Sequence, residues 1–180
     1  VKRISGYARL IARGLQKKFK LSDDFIEYLS LFAPLHDIGK VAISDDILHK
    51  PGPLTDAEFD LMRSHITVGR DIVDQALSEF ALEQISHVDV LRNIVLLHHE
   101  KINGSGYLGL KGEEDIPLEA RIIAVADVLD ALLSERSYKP AWDFNRALQE
   151  LQRMAVDQLD SACVDVVSQS EDEIERILHS

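Results

Sequence analysis

Apolar residues return every three or four positions along most of this chain, a spacing that commits it to helices packed through one face and leaves little room for a sheet. Ile4, Tyr7, Leu10, Ile11 and Leu15 mark a first helix, with Lys2, Arg3, Arg9 and Arg13 between them. Ser22, followed by two acids, reads as the N-cap of a second helix that carries Phe25, Ile26, Leu29, Phe32 and Ala33 toward His36 and Asp37, with Gly39 as its stop. Pro51, Gly52 and Pro53 make residues 45–54 a loop. Thr55 and Glu58 have the spacing of a capping box for a helix through Phe59, Met62, His65 and Ile72. Val90, Ile94, Val95 and Leu97 lead another helix to His98 and His99. Four glycines among residues 103–112 require a loop, and Pro117 then opens a long apolar helix to Leu133. Asp143 caps a helix through Phe144, Ala147, Leu148 and Leu151, and an acidic helix over 171–178 closes the chain. No strand pair, repeat or low-complexity stretch stands out, so the expected fold class is all-α.

With 180 residues, 46% of them hydrophobic and 28% charged, the chain can bury one domain's core. Its net charge of −11 argues against a nucleic-acid polymer as partner. A small anionic ligand stays open, because bound metal ions and a few placed lysines or arginines reverse the sign locally. The single cysteine, Cys163, cannot form an internal disulfide, which fits a reducing compartment and a cytoplasmic protein. The longest apolar stretch, residues 122–133, is interrupted by Asp127 and Asp130 and falls short of the roughly 20 residues that span a bilayer, so no membrane segment is expected. The chain opens on Val1 already in a helical pattern, which reads as a piece of a longer protein.

Chemistry-bearing residues gather at helix ends and on helix faces: His36 with Asp37, His65, His98 with His99, and Asp127. Imidazoles and carboxylates are the ligand set of first-row divalent metals. Adjacent residues on a helix point about 100° apart, so the His36–Asp37 pair can serve neighbouring ions with the carboxylate between them. Asp127 lies amid Ile122, Ile123, Val125, Val128 and Leu129, where an unpaired carboxylate is costly. Taken singly, each has an ordinary structural reading, a surface or hydrogen-bonded core histidine or a structural aspartate. His49, His87 and His179 receive no role.

In order, His36-Asp37-Ile38-Gly39-Lys40, His65, His98-His99-Glu100, Gly104-Ser105-Gly106-Tyr107 and Ala126-Asp127 resemble the HD-GYP family, a branch of the HD-domain metal-dependent phosphohydrolases. The stretches at 50–55, 119–123 and 134–139 are similar to it as well. The resemblance implies an HD-domain helical bundle of about seven helices, over residues 1–167, with 168–180 as a C-terminal acidic helix. It implies a phosphodiesterase that hydrolyses cyclic di-GMP to linear pGpG, GMP or both, using two or three divalent ions, iron or manganese. Carried over by position, His36, Asp37, His65, His98, His99 and Asp127 match metal ligands, with Asp37 bridging. Asp37 and Lys40 match catalytic positions, Lys40 contacting the scissile phosphate. Tyr107, Asp130, Arg136 and Lys139 match positions that hold the dinucleotide. Glu100 stays open, with orientation of a neighbouring histidine as one role. The implied partners are the cyclic dinucleotide, an upstream sensory or receiver domain, and a diguanylate-cyclase-type protein.

Several departures from the family pattern stand out. A further histidine ligand would sit immediately before Val1, and a carboxylate for a third ion one turn earlier. Residues 16–20 read as a short insertion that extends the first helix. Where the family commonly has Asp-Gly-x-Gly-Tyr-Pro, this chain has Asn103 to Leu108, and the loop is one residue short before Gly109. Leu108 lacks the φ restraint of proline. These changes motivate a second reading, a weakly active or inactive receptor or docking module. A third is an HD phosphohydrolase for another nucleotide.

Overall fold

In the computed structural model, which describes residues 2–82, 84, 86–135 and 141–179, the first apolar stripe becomes α1 (Lys2–Phe19), with Ile4, Tyr7, Ile11 and Leu15 buried along one face. Against it packs α2 (Asp23–Phe32), capped by Ser22, whose hydroxyl accepts the Phe25 N–H at 3.1 Å. Two 3-10 turns follow, Ala33–Leu35 and Ile38–Ala42, then the single turn α3 (Asp45–Leu48), α4 (Asp56–Arg63) and α5 (His65–Glu79). The remainder is α6 (Val88–Leu97), α7 (Gly112–Asp115), α8 (Leu118–Leu133), α9 (Phe144–Met154), α10 (Ser161–Ser168) and α11 (Glu171–Leu178). No strand occurs among the described residues, so the fold is all-α. Six of the helices reach ten residues, and shorter segments take the total past the expected seven.

Apolar on nearly every side, α8 sits at the centre, with Ile122, Ile123, Val125, Ala126 and Leu129 buried. Helices α1, α6, α9 and α10 pack around it. The acidic α11 joins the same core, because Ile174 is buried there and Ile177 covers Gly6 of α1. A smaller cluster of Val73, Leu77, Val88, Leu91 and Val95 joins α5 to α6, with Ile38 packed against it. Ile38 thereby pins the turn that carries Asp37. No described helix is long and apolar enough to cross a membrane.

The structure corrects several boundaries. The second helix ends at Phe32, because Pro34 has no N–H to continue the ladder and the chain tightens into a 3-10 turn. His36 and Asp37 therefore lie on consecutive tight turns instead of a regular helix. Gly39 is inside the second turn, where it permits close backbone approach: a Cβ there would stand 1.9 Å from the His65 carbonyl oxygen. The loop at 45–54 contains one helical turn, capped by Ser44. The capping box is present as expected, yet its helix breaks at Ser64. There the Ser64 hydroxyl donates to the Leu61 carbonyl at 2.6 Å and His65 Nδ1 donates to that of Met62 at 2.6 Å, so side chains take carbonyls a continuous helix would use. Helix α10, absent from the sequence expectation, is capped by Asp160, which accepts from the Ala162 and Cys163 N–H groups.

Candidate metal centre

The end of α6, the start of α5, the turns around residue 37 and the middle of α8 meet at the Asp37 carboxylate. Its Oδ1 stands 3.5 Å from His65 Nε2 and 3.6 Å from His98 Nε2. Its Oδ2 lies 3.3 Å from His36 Nε2 and 2.6 Å from Lys40 Nζ. Asp127 Oδ1 faces His36 Nε2 at 3.7 Å. Ligand atoms of Asp37, His65, His98 and His99 all fall within 4.8 Å of one another. Asp37 thus faces two imidazoles with Oδ1 and one imidazole and an ammonium with Oδ2.

Backbone carbonyls set three of the four rings. Nδ1 of His36 pairs with Ala33 O at 2.7 Å, that of His65 with Met62 O at 2.6 Å, and that of His98 with Ile94 O at 2.9 Å. A carbonyl only accepts, so each Nδ1 carries the proton and each Nε2 is turned toward Asp37. These three Nε2 atoms and Asp37 Oδ1 are buried without a hydrogen-bond partner. Buried polar atoms are rarely left so, and a divalent cation between Asp37 Oδ1 and the His65 and His98 Nε2 atoms would satisfy those three. The residues fit a metal centre.

Burial disfavours a charge on His36, but the carboxylates of Asp127 and Asp37 outweigh it and raise its pKa to about 10. Burial opposes ionisation of Asp37 and Asp127 too, and the neighbouring His36 and His98 nevertheless hold both carboxyls below the usual carboxylate range. His99 is pushed down to about 3 by burial and by His98 beside it. Burial likewise lowers His65. The neutral His65 and His99 rings are ready to ligate.

The glycine loop closes one wall. Tyr107 lies 4.6 Å from His99 between ring centroids and meets Phe59 edge-on at 5.8 Å. Arg63, which the sequence reasoning passes over, donates to the Tyr107 carbonyl and stands over its ring at 5.4 Å. Glu100 is buried, and its oxygens accept the N–H groups of Leu108 at 2.7 Å and Leu110 at 2.8 Å. Its hydrogen bonds thus go to the loop and not to a histidine. Leu108 supplies an N–H that proline would lack. Asn103 donates to Asp157 at 3.1 Å, a place where an aspartate would meet like charge. Asp130 pairs with Arg3 Nε at 2.9 Å and so ties α8 to α1. Arg136 and Lys139 lie outside the described residues.

The family model described as HD domain matches residues 1–163. The chain belongs to the HD domain family. This HD domain is 42% identical over 178 residues to the "Cyclic di-GMP phosphodiesterase response regulator RpfG" of Xanthomonas campestris pv. campestris, covering 98% of this chain and 44% of that protein. It is 37% identical over 151 residues to the "3′3′-cGAMP-specific phosphodiesterase 2" of Vibrio cholerae serotype O1, covering 84% of this chain and 27% of that one. The chain therefore spans less than half the length of these relatives. In fold, it is similar to Bd1817, a HDG"Y"P protein from Bdellovibrio bacteriovorus, with a TM-score of 0.62 at 19% identity over 92% of this chain and 50% of that one.

Proposed function

We propose that this HD domain is a metal-dependent phosphodiesterase that adds water across a phosphodiester bond of cyclic di-GMP, giving linear pGpG and, with a second cleavage, GMP. The observation that carries the reading is the convergence of unpartnered, buried His36, His65 and His98 Nε2 atoms on the Asp37 carboxylate. His36, Asp37, His65, His98, His99 and Asp127 would hold two divalent ions, with iron or manganese as the expected occupants. Bound there, the ions would supply Lewis acidity toward the phosphoryl oxygens and lower the pKa of the attacking water. Lys40, held at Oδ2 of Asp37, places an ammonium where a non-bridging phosphate oxygen gains a donor. Tyr107, Asp130, Arg136 and Lys139 would hold the two guanosines.

The likeness to a 3′3′-cGAMP-specific phosphodiesterase favours a second reading, in which the same centre opens a mixed cyclic dinucleotide. The longer relatives also support a further sensory or receiver domain in the intact protein; a diguanylate-cyclase-type partner is part of the same proposal and rests on the sequence resemblance alone. Turnover of equal amounts of cyclic di-GMP and 3′3′-cGAMP by the manganese-loaded protein, resolved by chromatography, decides between substrates. The proposal expects cyclic di-GMP to be consumed first; exclusive loss of 3′3′-cGAMP replaces it with the second reading.

A further inference from the structure

Three of the four clustered histidines are oriented by a backbone carbonyl at Nδ1. Among the described residues no carbonyl does this for His99. Its ring instead rests against Tyr107 and against His98, with centroids at 4.6 and 4.1 Å. Tyr107 belongs to a glycine-rich loop, which by composition alone would not hold a ring in place. What closes that loop is Glu100, the residue directly after His99. Both of its oxygens are spent on the loop, one on the Leu108 N–H and one on the Leu110 N–H. The fit is tight from the other side as well, since a Cβ on Gly106 would stand 2.5 Å from Glu100 Cα.

We propose that Glu100 is the positioning residue for His99, acting through Tyr107: its carboxylate fastens the loop and so sets the aromatic ring that orients this imidazole. The inference rests on the metal-centre reading and adds to it a residue that touches neither metal nor substrate. A glutamine at this position offers one acceptor oxygen and an NH2 that cannot accept. Glu100→Gln thus leaves one of the two amides unpartnered and frees the loop.

The test uses Mn2+ alone, without substrate. Its binding is titrated by calorimetry for the wild type, Glu100→Gln, Tyr107→Ala and the double variant. Amide exchange at residues 104–111 is followed on the same proteins. In the wild type the Leu108 and Leu110 amides are protected and Mn2+ binds. Glu100→Gln is expected to lose that protection and to weaken one Mn2+ about tenfold to a hundredfold, the usual range for an outer partner of a metal ligand. Tyr107→Ala should weaken the same ion, and adding Glu100→Gln to it should cost nothing more. Tyr107→Phe, which keeps the ring, should bind like the wild type.

Unchanged Mn2+ affinity in Glu100→Gln despite a freed loop overturns the proposal. Full additivity of the two losses overturns it too, by showing that Glu100 acts independently of the ring. If Glu100→Gln does not fold, Gly106→Ala keeps the carboxyl group but drives the loop away from Glu100, and equal Mn2+ affinity there is the contradicting result. A wild type that binds no Mn2+ refutes the metal-centre reading itself, a different outcome from any of these.

Discussion

Lys40 reaches back across a tight turn to Asp37, with Nζ 2.6 Å from Oδ2, while Oδ1 of the same carboxylate is left to His65 and His98. The carboxylate is shared between a cation of the chain and the place where a metal belongs. Replacing Asp37 by Ala should strip the centre of its metal and lower turnover at least about a hundredfold, beyond what loss of an outer partner does. Metal analysis and turnover measured on the same sample check it, and an Asp37→Ala protein that keeps both would contradict the assignment.

Lys40 should separate from the metal ligands in its effect. Lys40→Met keeps the stem and removes the ammonium. Its metal content is expected to match the wild type while kcat falls roughly 10²- to 10³-fold, as when one preorganised donor is lost. Coordinate loss of metal and activity would instead make Lys40 a structural partner of Asp37.

Metal uptake should displace a proton from His36. With its pKa raised from 6.5 to about 10 by the flanking carboxylates, this ring is protonated at neutral pH in the metal-free site. An ion bound at Nε2 must replace that proton, so uptake at pH 7 to 9 is expected to release it, and uptake above about pH 10 is not. Calorimetry in two buffers of different ionisation enthalpy reads the difference. The linked stability has the same sign. The folded pKa lies above the unfolded one, so the contribution of the pair to the metal-free fold is complete below about 6.5 and disappears as pH rises through about 10.

Gly39 is required by contact with α5, not by an unusual φ. A Cβ at this position would meet the His65 carbonyl oxygen at 1.9 Å and the Gly69 nitrogen at 2.6 Å, both backbone atoms that cannot rotate away. Gly39→Ala is expected to cost about 3 kcal/mol or more, the upper end for overpacked sites, in denaturant unfolding. It should also loosen metal binding, since the displaced turn follows Asp37 and the displaced helix begins at His65. An unaltered midpoint would show that the two backbones separate freely.

Much of this was legible before any coordinates. The stripe on α1, the capping box at Thr55 and the all-round apolar α8 follow from local spacing, which is what helices record in sequence. His36, Asp37, His65, His98, His99 and Asp127 stood out as a set through the resemblance of their order to the HD-GYP family, since each taken singly has an ordinary structural reading. The fold gathers ligand atoms of Asp37, His65, His98 and His99 within 4.8 Å and faces Asp127 toward His36. The breaks at Pro34 and Ser64 were harder to see. Proline marks the first, but the second arises from side chains competing for carbonyls, a contact visible only in three dimensions. Arg63 escaped, and the partners of Glu100 stayed open, for a similar reason: both bond backbone atoms of a loop eight or more residues away, which no periodicity encodes. Asp130 lies on α8 one turn from Asp127, and its partner on α1 could not be read from spacing.

The central claim is that His36, Asp37, His65, His98, His99 and Asp127 form a metal centre that hydrolyses a cyclic dinucleotide. Its most direct test is anaerobic turnover of cyclic di-GMP by iron- or manganese-loaded protein, with metal content assayed on the same sample. The account predicts linear pGpG or GMP from protein carrying at least two ions per chain, and none after chelation. Two ions bound with cyclic di-GMP left intact, or full turnover after chelation, would contradict it.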